Sequence, residues 1–193
     1  MICSSTSAKL STERLSAVPS RRLPSETWMR PTTNKVREAL ISSLQLRLPQ
    51  ARVLDLFAGT GSLGLACFQA GCREVVFVES DRRSLKYLIG EVSRAGAAEP
   101  ACRIIHGKLP LALSRLEGQF DIILADPPYN SAEGPQTLAL LSGCLSPEGI
   151  IVFEHHHKEN YPEEVNGLKL EKCKRYGETA LSFWVHHPEC HNP

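Results

Sequence analysis

The sequence predicts an α/β protein: a Rossmann-like, mostly parallel β-sheet with helices on both faces. Three observations carry this. Short apolar runs rich in Val, Ile and Leu alternate with helical stretches from residue 30 onward, the pattern of successive βαβ units. The first run enters Gly59-Thr60-Gly61-Ser62-Leu63-Gly64, a glycine turn between strand and helix. The fourth ends in Asp126-Pro127-Pro128-Tyr129, at the sheet edge where doubly wound folds bind ligands.

Taken in order, Thr32, Thr33 and Asn34 can cap a helix, and Val36, Leu40, Leu44 and Leu48 recur every fourth residue, which predicts a helix over 34–48 ended by Pro49. Arg52–Phe57 reads as a buried strand and Leu63–Ala70 as a helix. Val75–Glu79 is a second strand, followed by a charged helix to about Val92. Arg103–Ile105 and Phe120–Ala125 are the third and fourth strands. A helix over Gln136–Leu145 then leads through Pro147-Glu148-Gly149 into a fifth, Ile150–Glu154. Leu168–Lys174 and Thr179–Val185 alternate as a closing strand pair joined near Tyr176-Gly177, predicting one antiparallel edge strand. The boundaries that follow are a basic extension over 1–29, a domain over 30–185 and a polar tail over 186–193.

At 193 residues, 42% hydrophobic, the chain has material for one well-cored domain. No apolar run reaches the ~18 residues of a bilayer span, so no membrane role is expected. The seven cysteines (Cys3, Cys67, Cys72, Cys102, Cys144, Cys173 and Cys190) are scattered without a C-x-x-C pair, which favours a reducing, cytoplasmic setting over disulfides or structural zinc. His155-His156-His157 and the tail around His186, His187, Cys190 and His191 are the histidine clusters, and no metal is expected.

The glycine turn alone fits several nucleotide ligands, and Glu79, ending the second strand, can accept hydrogen bonds from ribose hydroxyls. Asp55 separates the possibilities. A carboxylate in the strand feeding the turn opposes a diphosphate but favours a ligand bearing an ammonium and a sulfonium. S-adenosylmethionine is such a ligand, and the motif favours it over a dinucleotide. In Asp126-Pro127-Pro128-Tyr129 the two prolines remove backbone donors. Carbonyls and the Asp126 carboxylate then form an acceptor-only pocket for an exocyclic amine, with Tyr129 as a stacking face worth ~1–3 kcal/mol. Acceptors on both amine hydrogens aim the nitrogen lone pair at a methyl donor.

Arg30-Pro31-Thr32-Thr33, Val36-Arg37-Glu38-Ala39-Leu40, Val53–Gly61, Val78-Glu79, Asp126–Tyr129 and Arg175-Tyr176-Gly177 together resemble the RsmD-like methyltransferases. These modify the N2 amine of a guanine in bacterial small-subunit (16S) ribosomal RNA. The resemblance spans about Arg14 to Val185. It implies a class I methyltransferase sheet of seven strands with the last antiparallel, and small-subunit ribosomal RNA or its assembly intermediate as partner. Asp126, Pro127, Pro128 and Tyr129 are then the catalytic residues. Asp55, Phe57, Gly59, Gly61, Leu63, Glu79, Ser80, Lys108, Leu109 and Asp126 would line the cofactor site, and Arg21, Arg22, Arg30, Thr32, Arg37 and Tyr129 would meet substrate. Three departures from the family pattern stand out: Pro19 in the opening segment, His106-Gly107-Lys108 where an Asp is common, and Gly90-Glu91 in place of an Asn. The alternatives are an adenine or cytosine amino-methyltransferase acting on DNA, and a catalytically silent RNA-binding assembly factor.

The net charge of +1 conceals an uneven distribution: residues 1–50 hold eight Lys and Arg against three acids, and the remainder 14 against 18. Phosphate affinity follows local charge. Neutralising Arg21 and Arg22 is therefore expected to weaken RNA binding and flatten its salt dependence. Titrations across a salt series test this, and unchanged slopes would remove the segment from the interface.

Overall fold

The computed structural model describes residues 34–187. Arg21, Arg22, Arg30, Thr32, Pro19, Cys3, Cys190 and His191 lie outside them. One sheet organises the chain, in strand order β3-β2-β1-β4-β5-β8-β7-β6. Its strands are β1 (Arg52–Leu56), β2 (Glu74–Glu79), β3 (Cys102–His106), β4 (Phe120–Ala125), β5 (Leu145–His156), β6 (Glu164–Val165), β7 (Leu168–Tyr176) and β8 (Thr179–His186). The first five pair in parallel, and the last three join by antiparallel pairing.

One expectation is corrected here. The sheet has eight strands rather than seven, because the two-residue β6 adds an edge too short to leave an alternating pattern in the sequence. The antiparallel end of the sheet is as expected, with β8 between β5 and β7, buried on both sides, and the short β6 outermost.

Side-chain alternation along the strands builds two cores. Val53, Val75, Phe77, Ile122, Leu124, Val152 and Phe183 face one side. There α1 (Asn34–Leu44), α2 (Ser62–Gln69) and α3 (Arg82–Arg94) cover them with Val36, Leu40, Leu63, Leu65 and Leu88. Leu54, Leu56, Val76, Val78, Ile123, Phe153 and Trp184 face the other side, under Leu138 of α4 (Glu133–Leu138), Leu141 and Ala112. Both faces are thus covered, as a mostly parallel sheet requires.

Helix ends differ from the sequence pattern for local reasons. The periodicity of α1 continues to the buried Leu48, yet the regular helix stops at Leu44 and turns carry the chain on. The predicted 136–145 helix is instead the short α4, which carries Pro135 in its first turn, and a separate 3-10 turn over Leu141–Cys144. Residues 146–149 do not end a helix. They form a bulge within β5, whose register jumps from Phe120↔Leu145 to Ile122↔Ile150.

Arg52 ties the amino ends of three strands together. Its Nε donates to Glu74 at 2.7 Å, its Nη1 donates to the Gln119 carbonyl at 2.8 Å, and its guanidinium lies 4.7 Å over the Phe120 ring. No helix among the described residues is long and apolar enough to cross a membrane.

Phe77 is fully buried on β2, directly beneath the glycine turn. Phe77→Ala is expected to destabilise the protein by about 3–5 kcal/mol, read from the urea midpoint.

Candidate functional site

The site forms where β1, β2 and β4 end. Asp55 shares the strand alternation of Val53, as Glu79 shares that of Phe77 and Asp126 that of Leu124. All three carboxylates therefore project from the α1–α3 side of the sheet at its carboxyl edge. Sequence spacing alone could not bring them together; the adjacency of β2, β1 and β4 does.

Glu79 is buried and holds three backbone donors. Its Oε2 accepts from Gly59 N–H at 2.7 Å, and its Oε1 accepts from Ser80 and Asp81 N–H at 2.7 and 2.6 Å. One carboxylate thus joins the loop after β1 to the loop after β2. Asp81 continues the chain of contacts by capping α3, accepting from Arg83 and Ser84 N–H.

The loop after β1 requires left-handed backbone at Phe57, Gly59 and Gly61, with φ of 57°, 56° and 78°. A Cβ on Gly61 would run into Leu88, and one on Gly64 would sit 2.8 Å from Asp55 Oδ2. The glycines therefore let α2 approach the strand end. At Phe57, a non-glycine residue held at positive φ, the side chain breaks the strand alternation and packs against the second core.

Asp55 is 2% exposed, and its Oδ2 accepts from Gly64 N–H at 2.9 Å, the first turn of α2. Burial lifts its carboxyl to about 8. The Gly64 bond opposes that rise, while the charges of Asp126 and Glu79 add to it. Such a crowded acidic crevice is matched chemically by a cationic ligand.

Pro127 is buried, Tyr129 and Asp126 are partly exposed, and Pro128 is exposed. The Tyr129 hydroxyl lies 3.4 Å from Thr179 Oγ1. Lys108, beyond β3, pairs with Glu133 at 3.1 Å, and His106 Nε2 lies 3.1 Å from the Ser80 carbonyl. Ser80 is exposed at the crevice rim. Leu63 and Leu109 are committed to the cores, which leaves their backbone as the part open to a ligand. Arg37 is half-exposed on α1 and donates to Asn34 Oδ1 at 3.0 Å.

Sequence reasoning assigned no role to the end of β5, where His156 packs edge-on against Tyr129 at 5.7 Å. Its only signal was the triple histidine. Among the described residues, no group of three or more His, Cys, Asp and Glu side chains is placed to hold a metal. His186 and His187 are tied down: His186 ends β8, and the His187 N–H donates to the Gly167 carbonyl at 2.8 Å.

The profile of the family described as Conserved hypothetical protein 95 matches residues 18–185. Ribosomal RNA small subunit methyltransferase D of Escherichia coli (strain K12) is 28% identical over 164 residues, covering 84% of this chain and 82% of that protein. A solved structure of a conserved hypothetical protein from Streptococcus pyogenes has a TM-score of 0.72 at 27% identity, covering 81% of this chain and 98% of that one. For a hypothetical protein of Thermus thermophilus the values are 0.71 and 28%, covering 87% and 94%.

The state of Asp55 makes stability depend on pH. Between about pH 4 and pH 8 the folded carboxyl keeps a proton that the unfolded chain has released, so rising pH favours unfolding across that window. Asp55→Asn, which still offers an oxygen to Gly64 N–H, is expected to flatten this decline. Melting temperatures of both ligand-free proteins from about pH 5 to pH 8 provide the check.

Proposed function

The chain belongs to the conserved hypothetical protein 95 family of RsmD-like methyltransferases, and on that premise we propose that it methylates the exocyclic N2 amine of a guanine in small-subunit ribosomal RNA. S-adenosylmethionine is the methyl donor, and the RNA or its assembly intermediate is the substrate. The setting is cytoplasmic. Residues 30–185 form the methyltransferase domain, and the basic residues 1–29, with Arg21, Arg22, Arg30, Thr32 and Arg37, meet RNA. The observation that carries this reading is the placement of Asp126-Pro127-Pro128-Tyr129 on β4, beside the crevice of Asp55 and Glu79 on β1 and β2.

The donor set fits the cofactor. Glycines at 59 and 61 open the backbone turn, and a crevice of carboxylates suits a ligand carrying an ammonium and a sulfonium. A bound cation beside Asp55 favours its ionised form, so the negative charge is present when the ligand is. Glu79 uses three acceptor positions on the loops, and a carboxylate offers about four, which leaves capacity for a ribose hydroxyl.

S-adenosylmethionine supplies an electrophilic methyl group. The protein's part is to prepare the nucleophile. A paired guanine hides its N2, so the base must leave its stack and enter the pocket. There Tyr129 stacks on the base, while the Asp126 carboxylate and the carbonyl at Pro127 accept the two N–H donors of the amine. Those contacts would draw the nitrogen toward a tetrahedral shape and orient its lone pair for attack on a methyl donor. S-adenosylmethionine would supply the methyl group and depart as S-adenosylhomocysteine, and the Asp126 carboxylate would stabilise the positive charge developing on the nitrogen. The amine then releases one proton to water, and no covalent enzyme intermediate is needed.

Asp126→Ala is expected to lower turnover by about 10²-fold or more while weakening cofactor affinity far less. Methyl transfer to small-subunit RNA and its assembly intermediates, alongside calorimetric cofactor binding, measures both. Wild-type-like turnover in the variant would sink the mechanism. Transfer to duplex DNA in place of RNA would favour the DNA reading, and cofactor binding without transfer would favour the silent assembly factor.

A further inference from the structure

β5 ends at His155-His156, and a third histidine, His157, follows in the turn. Alternation sends neighbours to opposite sides, so the three cannot converge on one ion. His155 faces the second core: it is buried, its ring is 4.9 Å from Tyr161, and its Nε2 lies 2.8 Å from Ser182 Oγ. Burial holds its pKa below the ordinary value, and it serves as packing.

His156 and His157 are different. Both are half-buried, and their rings lie 4.6 Å apart at 34°. His156 in turn meets the Tyr129 ring at 5.7 Å. Tyr129, His156 and His157 thus form a row of flat rings along the carboxyl edge of β4 and β5. The row is held in place. His156 Nδ1 accepts from Lys158 N–H at 3.2 Å. His157 Nδ1 lies 3.1 Å from the Glu178 carbonyl, to which its own backbone N–H donates at 2.8 Å. Glu159 fastens this loop to the Asp126–Tyr129 segment, because its Oε1 accepts from Asn130 N–H at 3.0 Å while its own N–H donates to the His156 carbonyl.

We propose that His156 and His157 form a second stacking site, which takes the RNA base next to the one held on Tyr129. The inference rests on the guanine-methylation reading above and extends it to the neighbouring nucleotide. The Tyr129 and His156 ring planes stand 69° apart, so bases on the two would be splayed rather than continuously stacked. Extruding one base removes a stacking partner from its neighbour, and a flat, preorganised surface beside the pocket replaces it. Each ring nitrogen turned inward has a backbone partner, so the rings are pinned before RNA arrives.

The test uses the full-length protein and small-subunit RNA from cells lacking it. His156→Ala combined with His157→Ala should raise KM for RNA about tenfold, with kcat and the Kd for S-adenosylmethionine essentially unchanged. Two further variants separate stacking from pinning of the β7–β8 turn. His157→Phe keeps a ring but loses the side-chain contact with the Glu178 carbonyl, and should retain a KM near wild type. His157→Asn keeps a donor for the Glu178 carbonyl without a ring, and should raise KM. An unchanged KM in the double variant, or loss in His157→Phe with retention in His157→Asn, overturns the stacking site. A wild-type protein that binds S-adenosylmethionine but methylates no guanine overturns the proposed function, and this inference with it.

Discussion

The Glu79 carboxylate is the contact on which the site depends. Three backbone N–H groups, from Gly59, Ser80 and Asp81, point at it from two different loops. None of those amides belongs to a helix or a strand ladder, so each needs an acceptor within the crevice. A single buried carboxylate at the end of β2 satisfies them and sets the separation of the two loops. The positive-φ turn through Gly59 and Gly61, the approach of α2 to β1 and the capping of α3 by Asp81 all build outward from it.

A second constraint is the accumulation of negative charge. Asp55, Glu79 and Asp126 project from the same side of three adjacent strands, and burial together with the neighbouring carboxylates keeps Asp55 protonated to about pH 8, so that the folded state is opposed as Asp55 is made to ionise. That arrangement is unfavourable for stability and favourable for binding a cation. The opposing contact is Gly64 N–H, which is available only because a Cβ at residue 64 would crowd Asp55 and Phe77. Core packing and site electrostatics are therefore one problem here, with Phe77 under the turn and Asp55 beside it.

Much of the fold was legible because parallel strands buried on both faces read as continuous apolar runs. Arg52–Leu56 and Phe120–Ala125 are of this kind, and their ends fall close to where the pattern places them. Pattern misled where local chemistry interrupted it. Leu48 keeps the apolar period of α1 outside its regular helix, α4 spans only six residues before the chain turns at Leu141–Cys144, and residues 146–149 interrupt β5 without ending it. The glycine turn and Asp126–Tyr129 stood out because their residue types have few other uses in that order. His156 and His157 did not, since histidine serves packing, metal binding and stacking alike, and nothing local distinguishes among them.

Local sequence determined which side of the sheet each strand residue faces, because alternation is a property of the extended backbone and needs no partner. It thereby placed Asp55 with Val53, Glu79 with Phe77 and Asp126 with Leu124. Only the tertiary structure decided which strands are neighbours: β8 lies between β5 and β7, and β4 lies beside β1. Such adjacency arises from burying both faces of the whole sheet at once, a condition no single segment encodes. The same condition brings Tyr129, His156 and the turn at Glu178 to one edge, from three separate parts of the chain.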